Sequence, residues 1–143
     1  MTLLEMKSSY TELKRTHQEE VNNFPMFFAF NKKQFEEGLE KLNASKNNKV
    51  VSIGMGGYML KSDLPRFRAM LAEHEEKLSE AMKEFNFAVD MFEYELCNHE
   101  YCYTRDTTQT LEALGLTEHQ VSRTPVLKRA LKAAIQRQIE KYG

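Results

Sequence analysis

Phe85-Asn86-Phe87-Ala88-Val89-Asp90-Met91-Phe92-Glu93-Tyr94-Glu95-Leu96-Cys97-Asn98-His99-Glu100-Tyr101 is the stretch from which the architecture can be read. Placed on a helix at about 100° per residue, it carries two apolar stripes instead of one. Phe85, Val89, Phe92 and Leu96 make the first, and Phe87, Met91, Tyr94 and Tyr101 the second. A helix that is apolar on two sides needs cover on both, so neighbouring elements are expected to sandwich it. Asp90, Glu93, Cys97 and Glu100 line one edge between the stripes, and Glu95, His99 and Cys102 the opposite edge.

Downstream, the segment 104–108 reads as a loop feeding a short helix that ends at Leu111-Glu112-Ala113-Leu114. Gly115 suits the left-handed residue after a helix, and Thr117 with Gln120 offers a capping box. Thr124 as N-cap with Pro125 in the first helical position then opens a last helix through Tyr142, its buried arc being Leu127, Ala130, Leu131, Ala134, Ile135 and Ile139. Upstream, Ser62 or Asp63 caps a long helix from Leu64 to about Lys83. Its stripe is Phe67, Met70, Leu71, His74, Leu78, Ala81 and Met82, which makes His74 a hydrogen-bonded histidine at the core edge.

Before that helix, Lys49 to Lys61 combines β-branched residues with a glycine-rich break and predicts a hairpin turning at Met55 to Gly57. Phe24-Pro25-Met26-Phe27-Phe28-Ala29-Phe30 suits a short buried strand. Asn31 and Gln34 form a capping box for a helix from Lys32 to Leu42 that buries Phe35, Leu39 and Leu42, and residues 43–48 form a polar loop. Residues 2–22 make a mainly polar helix whose Leu3, Leu4, Tyr10, Leu13 and Val21 are too sparse for a wide apolar face. The expected fold is α+β and mainly helical, with an antiparallel sheet from 26–30, 49–54 and 58–61 packed by a helical bundle.

At 143 residues, 41% apolar and 29% charged, the chain is expected to form one domain over 1–143, with residues 1–22 peripheral. The N-terminus lacks the basic and apolar runs of a signal peptide, and no stretch approaches the roughly 18 apolar residues of a membrane span. Cys97 and Cys102 on one helix would point about 140° apart, which disfavours a disulfide between them. A cytoplasmic location, away from membranes, is the expectation. The net charge of −1 excludes strong global attraction to nucleic acid. It is unevenly spread: residues 73–100 hold nine acids against two lysines (−7), and residues 123–143 six bases against one acid (+5). Blocks of this kind ordinarily face water or each other.

No motif names a reaction. Gly54 and Gly56 fill two places of a dinucleotide fingerprint, but Met59 stands in the third and no Gly-Lys-Ser/Thr follows, so these glycines are turn residues. Glu95, His99 and Cys102 are the candidate metal ligands, at i, i+4 and i+7. Zinc ordinarily takes four donors, and Glu95–His99 is more simply a helical pair, so no metal and no cofactor is expected. Cys97 and His99 diverge on a helix, and no nucleophile turn is present, so no catalytic residue is assigned. The segment Leu111 to Val121 with the basic helix after it has helix-turn-helix features. Arg123, Lys128, Arg129 and Lys132 are the candidates there for phosphate contact.

Several segments together resemble a family of small uncharacterised proteins associated with bacteriophages and mobile elements of Gram-positive and gut bacteria. They are Phe28 to Leu39, Gly56-Gly57-Tyr58 with Lys61-Ser62-Asp63, Glu95 to Asp106, and Leu111 to Leu116. The resemblance spans roughly 26–120, and Asn98-His99-Glu100-Tyr101 is its most distinctive piece. It implies no activity. It implies a context in which small accessory proteins bind a host protein, including as inhibitors of CRISPR and other defences. The near-neutral charge departs from the acidic DNA-mimic style of such inhibitors. A shaped surface or the acidic block at 73–100 would then carry binding, with Asp90, Glu93, Glu100, Tyr101, Tyr103 and Arg105 as candidate contacts.

Overall fold

The computed structural model describes residues 3–42 and 49–142, with side chains from Tyr10 onward. The polar loop expected at 43–48, and the side chains of Leu3 and Leu4, lie outside the described residues. The described elements are α1 (Leu3–Asn22), β1 (Phe27–Phe28), α2 (Lys32–Lys41), β2 (Val50–Gly54), β3 (Gly57–Leu60), α3 (Leu64–Ala81), α4 (Phe85–Asn98), α5 (Tyr101–Thr104), α6 (Thr108–Ala113), α7 (Glu118–Arg123) and α8 (Pro125–Tyr142). The fold is mainly helical α+β with a small antiparallel sheet, as the patterning predicts. No described helix is long and apolar enough to cross a membrane.

The chain divides into two compact units, one built from Met1–Thr16 with Glu76–Gly143 and the other from His17–Glu75. In the first unit α4 is the hub. Phe87, Val89, Met91, Phe92 and Leu96 are buried in the core, covered by Leu127, Ala130 and Ala134 of α8, Leu111 and Leu114 around α6, and Val121 of α7. The double stripe is thus real, but each stripe has one exposed member, Phe85 in the first and Tyr94 in the second. The helix stops at Asn98, because Glu100 adopts a left-handed backbone (φ 57°) and sends Tyr101 into the separate turn α5. The helix is opened by Glu84, whose carboxylate accepts from the Asn86 and Phe87 amides.

Three further expectations need correction. Tyr10 of α1 is buried in this core, so a sparse polar helix nevertheless contributes a central ring. On α8 it is Gln138 that is buried, its Nε2 donating to the Glu93 carbonyl at 3.5 Å, while Ile139 is exposed. Thr124 does not cap α8 with its hydroxyl, which donates back to the Gln120 carbonyl at 2.8 Å. The capping box of Thr117 and Gln120 forms in full.

In the second unit the sheet has the order β1-β3-β2, all antiparallel, with Phe27 opposite Tyr58 and Val51 opposite Met59. Phe27 stacks on Tyr58 (5.4 Å between centroids), and Phe35 of α2 meets both edge-on. On α2 the fully buried position is Gly38, whereas Phe35, Leu39 and Leu42 are half-buried. A side chain at Gly38 would overlap the Phe27 ring, which is why helix and strand can approach so closely here. Asn31 caps α2 by accepting from the Gln34 amide at 2.8 Å, while Gln34 Oε1 accepts from the Phe30 amide. On α3, His74 is buried as predicted and Leu71 is exposed.

Candidate functional site

Glu95 is the most deeply placed charge described, at 1% exposure. Its Oε1 accepts from the Tyr10 hydroxyl at 2.8 Å and from Lys14 Nζ at 2.6 Å. Tyr10 and Lys14 lie one turn apart on α1, so both reach the same carboxylate. The Lys14 ammonium also sits 5.1 Å from the Tyr94 ring centroid, and Tyr10 meets Phe87 and Tyr94 edge-on. Glu95 Oε2 and His99 Nε2 are 3.4 Å apart without hydrogen-bond geometry, both buried. Burial, the hydrogen bond to Glu95 and its negative charge together push the Tyr10 hydroxyl well above the ordinary tyrosine range. This cluster clamps α1 to α4. At this depth the carboxylate is enclosed by its own partners, Tyr10, Lys14 and His99.

The helix break at His99–Glu100 also divides the metal candidates. Glu95 and His99 remain on α4, but Cys102 belongs to α5, so the i, i+7 alignment no longer applies. Among the described residues no three His, Cys, Asp or Glu side chains converge to hold a metal ion. Cys97 and Cys102 are free thiols.

The candidate contacts around the acidic block lie in different environments. Asp90 and Tyr101 are buried, and Glu93 pairs with Arg137 of α8 at 3.3 Å. Glu100, Tyr103 and Arg105 are exposed, Tyr103 at 85%, and the Arg105 guanidinium lies 5.8 Å from the Tyr101 ring centroid. Elsewhere in the block Glu80 pairs with Lys83 at 2.9 Å and Glu84 caps α4. Much of the −7 is therefore engaged within the fold. On the basic side, Arg123 ends α7 and Lys128, Arg129 and Lys132 are exposed on α8. The glycine of the helix-turn-helix reading, Gly115, lies in the connection between α6 and α7, and only Thr124 separates α7 from the basic helix α8.

Two features escaped the sequence reading. His17 and His74, 57 positions apart, stack in parallel at 3.9 Å between ring centroids, with His74 Nε2 2.8 Å from Glu20 Oε2. The second is the set of exposed side chains around the hairpin tip, whose turn itself falls where the sequence predicts. Gly54 (φ 91°), Met55 (φ 52°) and Gly56 (φ 81°) all take left-handed backbone, which gives the tight turn the twist its strands need. Met55 is thereby held out at 94% exposure. Phe30, 77% exposed, covers Gly56 where a Cβ would collide with its ring, and Phe28, 58% exposed, lies against Gly57 beside Ile53. Phe28 and Phe30 also border a groove of about 510 Å³ that runs between β1, the end of α1 and α2, where Asn22, Gln34, Glu37 and Lys41 supply polar groups. The hydrophobicity of 24–30 was legible, but it pointed to a buried strand, and only the hairpin register shows which rings face outward.

The model of a family described as a family of unknown function (DUF7659) matches residues 9–137. No curated protein and no solved structure matches the chain.

Proposed function

The chain belongs to that family of unknown function, and since membership hands down no activity, we propose from the surface itself that this is a non-catalytic protein-interaction protein. In the phage and mobile-element context that its motifs resemble, the partner is a host protein or defence complex in the bacterial cytoplasm, and the effect is inhibition of the anti-CRISPR kind. The observation that carries the reading is the exposed trio Phe28, Phe30 and Met55 around the hairpin tip. Three large apolar side chains grouped in this way are costly in water and mark contact surfaces. A methionine in left-handed backbone adds strain that a turn residue such as asparagine would relieve, so its presence favours a role in contact over a role in folding. Met also adapts its shape to a partner at little cost.

The test is capture from host lysate, with and without nuclease, by the wild-type protein and by Phe30→Ser/Met55→Ser. A partner retained after nuclease and lost with the double variant, whose melting temperature stays at or above wild type, supports the proposal. Equal capture by both proteins refutes it.

One observation favours a second reading, a small nucleic-acid-binding regulator. Among the described residues Arg137 of α8 pairs with Glu93, whereas Lys128, Arg129 and Lys132 have no carboxylate within ion-pair reach. Direct binding of short DNA or RNA at moderate salt, abolished by Lys128→Glu with Arg129→Glu, would establish it.

A further inference from the structure

We infer that the groove walled by α6, α7 and α8 is a docking site for an amphipathic helix of a partner protein, one carrying carboxylates a turn apart along one flank of its apolar face. The groove holds about 410 Å³ and lies within the first unit, so the inference goes beyond the hairpin surface and stands whether or not the hairpin binds. Its floor is Leu111 of α6 and Val121 of α7, with Leu131 and Ile135 of α8. Leu131 and Ile135 are one turn apart and only half-buried, although they belong to the arc that α8 otherwise turns to the core. They are therefore among the apolar residues of α8 that folding leaves incompletely covered, and the ones that line this groove. A groove with leucine, valine and isoleucine underfoot and helices for walls takes the apolar face of another helix.

Charge selects which helix. Lys128 and Lys132 stand on the α8 rim, again one turn apart, about 6 Å along the axis. Neither meets a carboxylate of this chain among the described residues. The opposite rim, on α7, carries Glu118 and Ser122 at the same spacing. Two ammonium groups at the helical repeat match two carboxylates at i and i+4 on a partner helix, as flanking charges do beside an apolar seam. The Glu118 rim repels a second acidic flank, which fixes the partner helix's orientation in the groove. A fatty carboxylate, with one head group, would engage one lysine and leave the repeat unused. A phosphate backbone would use the lysines and leave the apolar floor exposed.

The test uses the full-length protein and a synthetic helix of about 16 residues, long enough to be partly helical in water. Leucine occupies i, i+4 and i+7, glutamate the flank on one side, and alanine and glutamine the rest. Expected is saturable binding by fluorescence anisotropy, with NMR shifts at the methyls of Leu111, Val121, Leu131 and Ile135. Lys128→Glu/Lys132→Glu, at two exposed positions that leave the fold intact, should weaken binding about tenfold or more. It should also admit the same peptide with lysine in place of glutamate. The inference is overturned if the acidic peptide does not bind, or if exchanging its leucines for serine changes nothing. Equal binding of the lysine peptide to the wild-type protein, or displacement by submicellar dodecanoate or by duplex DNA at equal concentration, overturns it as well.

Discussion

Tyr10 and Glu95 meet across 85 positions of sequence, and their hydroxyl–carboxylate hydrogen bond is buried. Because the folded chain holds the Tyr10 proton above its ordinary value of 10.0, the unfolded chain releases it first as pH rises. The stability this proton contributes is complete below pH 10 and is lost progressively above it, at up to about 1.4 kcal/mol per pH unit. Urea unfolding at neutral and strongly alkaline pH should therefore show a steeper alkaline loss for wild type than for Tyr10→Phe. The same substitution should cost about 1–3 kcal/mol at pH 7, since it removes a hydrogen bond to a charged acceptor. A pH profile unchanged by Tyr10→Phe would sink this account. Met55 is the opposite case, a residue that folding would not choose. Met55→Asn, which tolerates left-handed backbone better, should leave stability equal or raise it by up to about 1 kcal/mol. These residues were the least legible from sequence, and for a physical reason. Tyr10 sits among polar neighbours on α1, so no periodicity marks it. His17 and His74 share no helix, so no spacing links them. Glu84 is not a preferred capping residue, and Glu100 turns the chain where no glycine announces a turn.

Elements read better than residues, because periodicity and capping are local. The hairpin, both capping side chains Asn31 and Thr117, and the two-sided burial of α4 follow from patterns within a few turns. What the patterns could not give was which member of each stripe would stay exposed, Phe85 in one and Tyr94 in the other, since that depends on where neighbouring helices lie. Phe92, fully buried at the centre of α4, tests the hub directly: Phe92→Ala should cost about 3–5 kcal/mol in denaturant unfolding. A nearly neutral result would mean that α4 is not the core. The junction of α2 with β1 sets two effects against each other at Gly38. Alanine there gains about 1 kcal/mol in helix propensity, but its methyl overlaps the Phe27 ring, and overpacking typically costs about 1–3 kcal/mol. The ring is itself stacked on Tyr58 and cannot swing away cheaply, so Gly38→Ala should destabilise, as read from the melting temperature. A variant more stable than wild type would show that the strand can retreat.

Over the whole molecule, charge counts proved a poor guide to surface. The −7 of residues 73–100 suggests an acidic face, yet Asp90 and Glu95 are inside, Glu84 caps the start of a helix and Glu93 holds Arg137. The apolar side chains around the hairpin tip, which add nothing to any charge count, are the more conspicuous surface. The division into units has a consequence for how the protein comes into being. The segment His17–Glu75 is continuous, whereas the other unit gathers Met1–Thr16 and Glu76–Gly143. On a ribosome the inserted unit has all its residues early. Tyr10, by contrast, must wait for Glu95 and then for Leu127, Ala130 and Ala134 of α8, on the order of ten seconds of synthesis. Nascent chains stalled after residue 75 and displayed beyond the exit tunnel should thus resist protease over 17–75 while remaining cleavable around Tyr10. Protection that arrives everywhere at once, only on release of the finished chain, would mean that the inserted unit cannot fold ahead of its host.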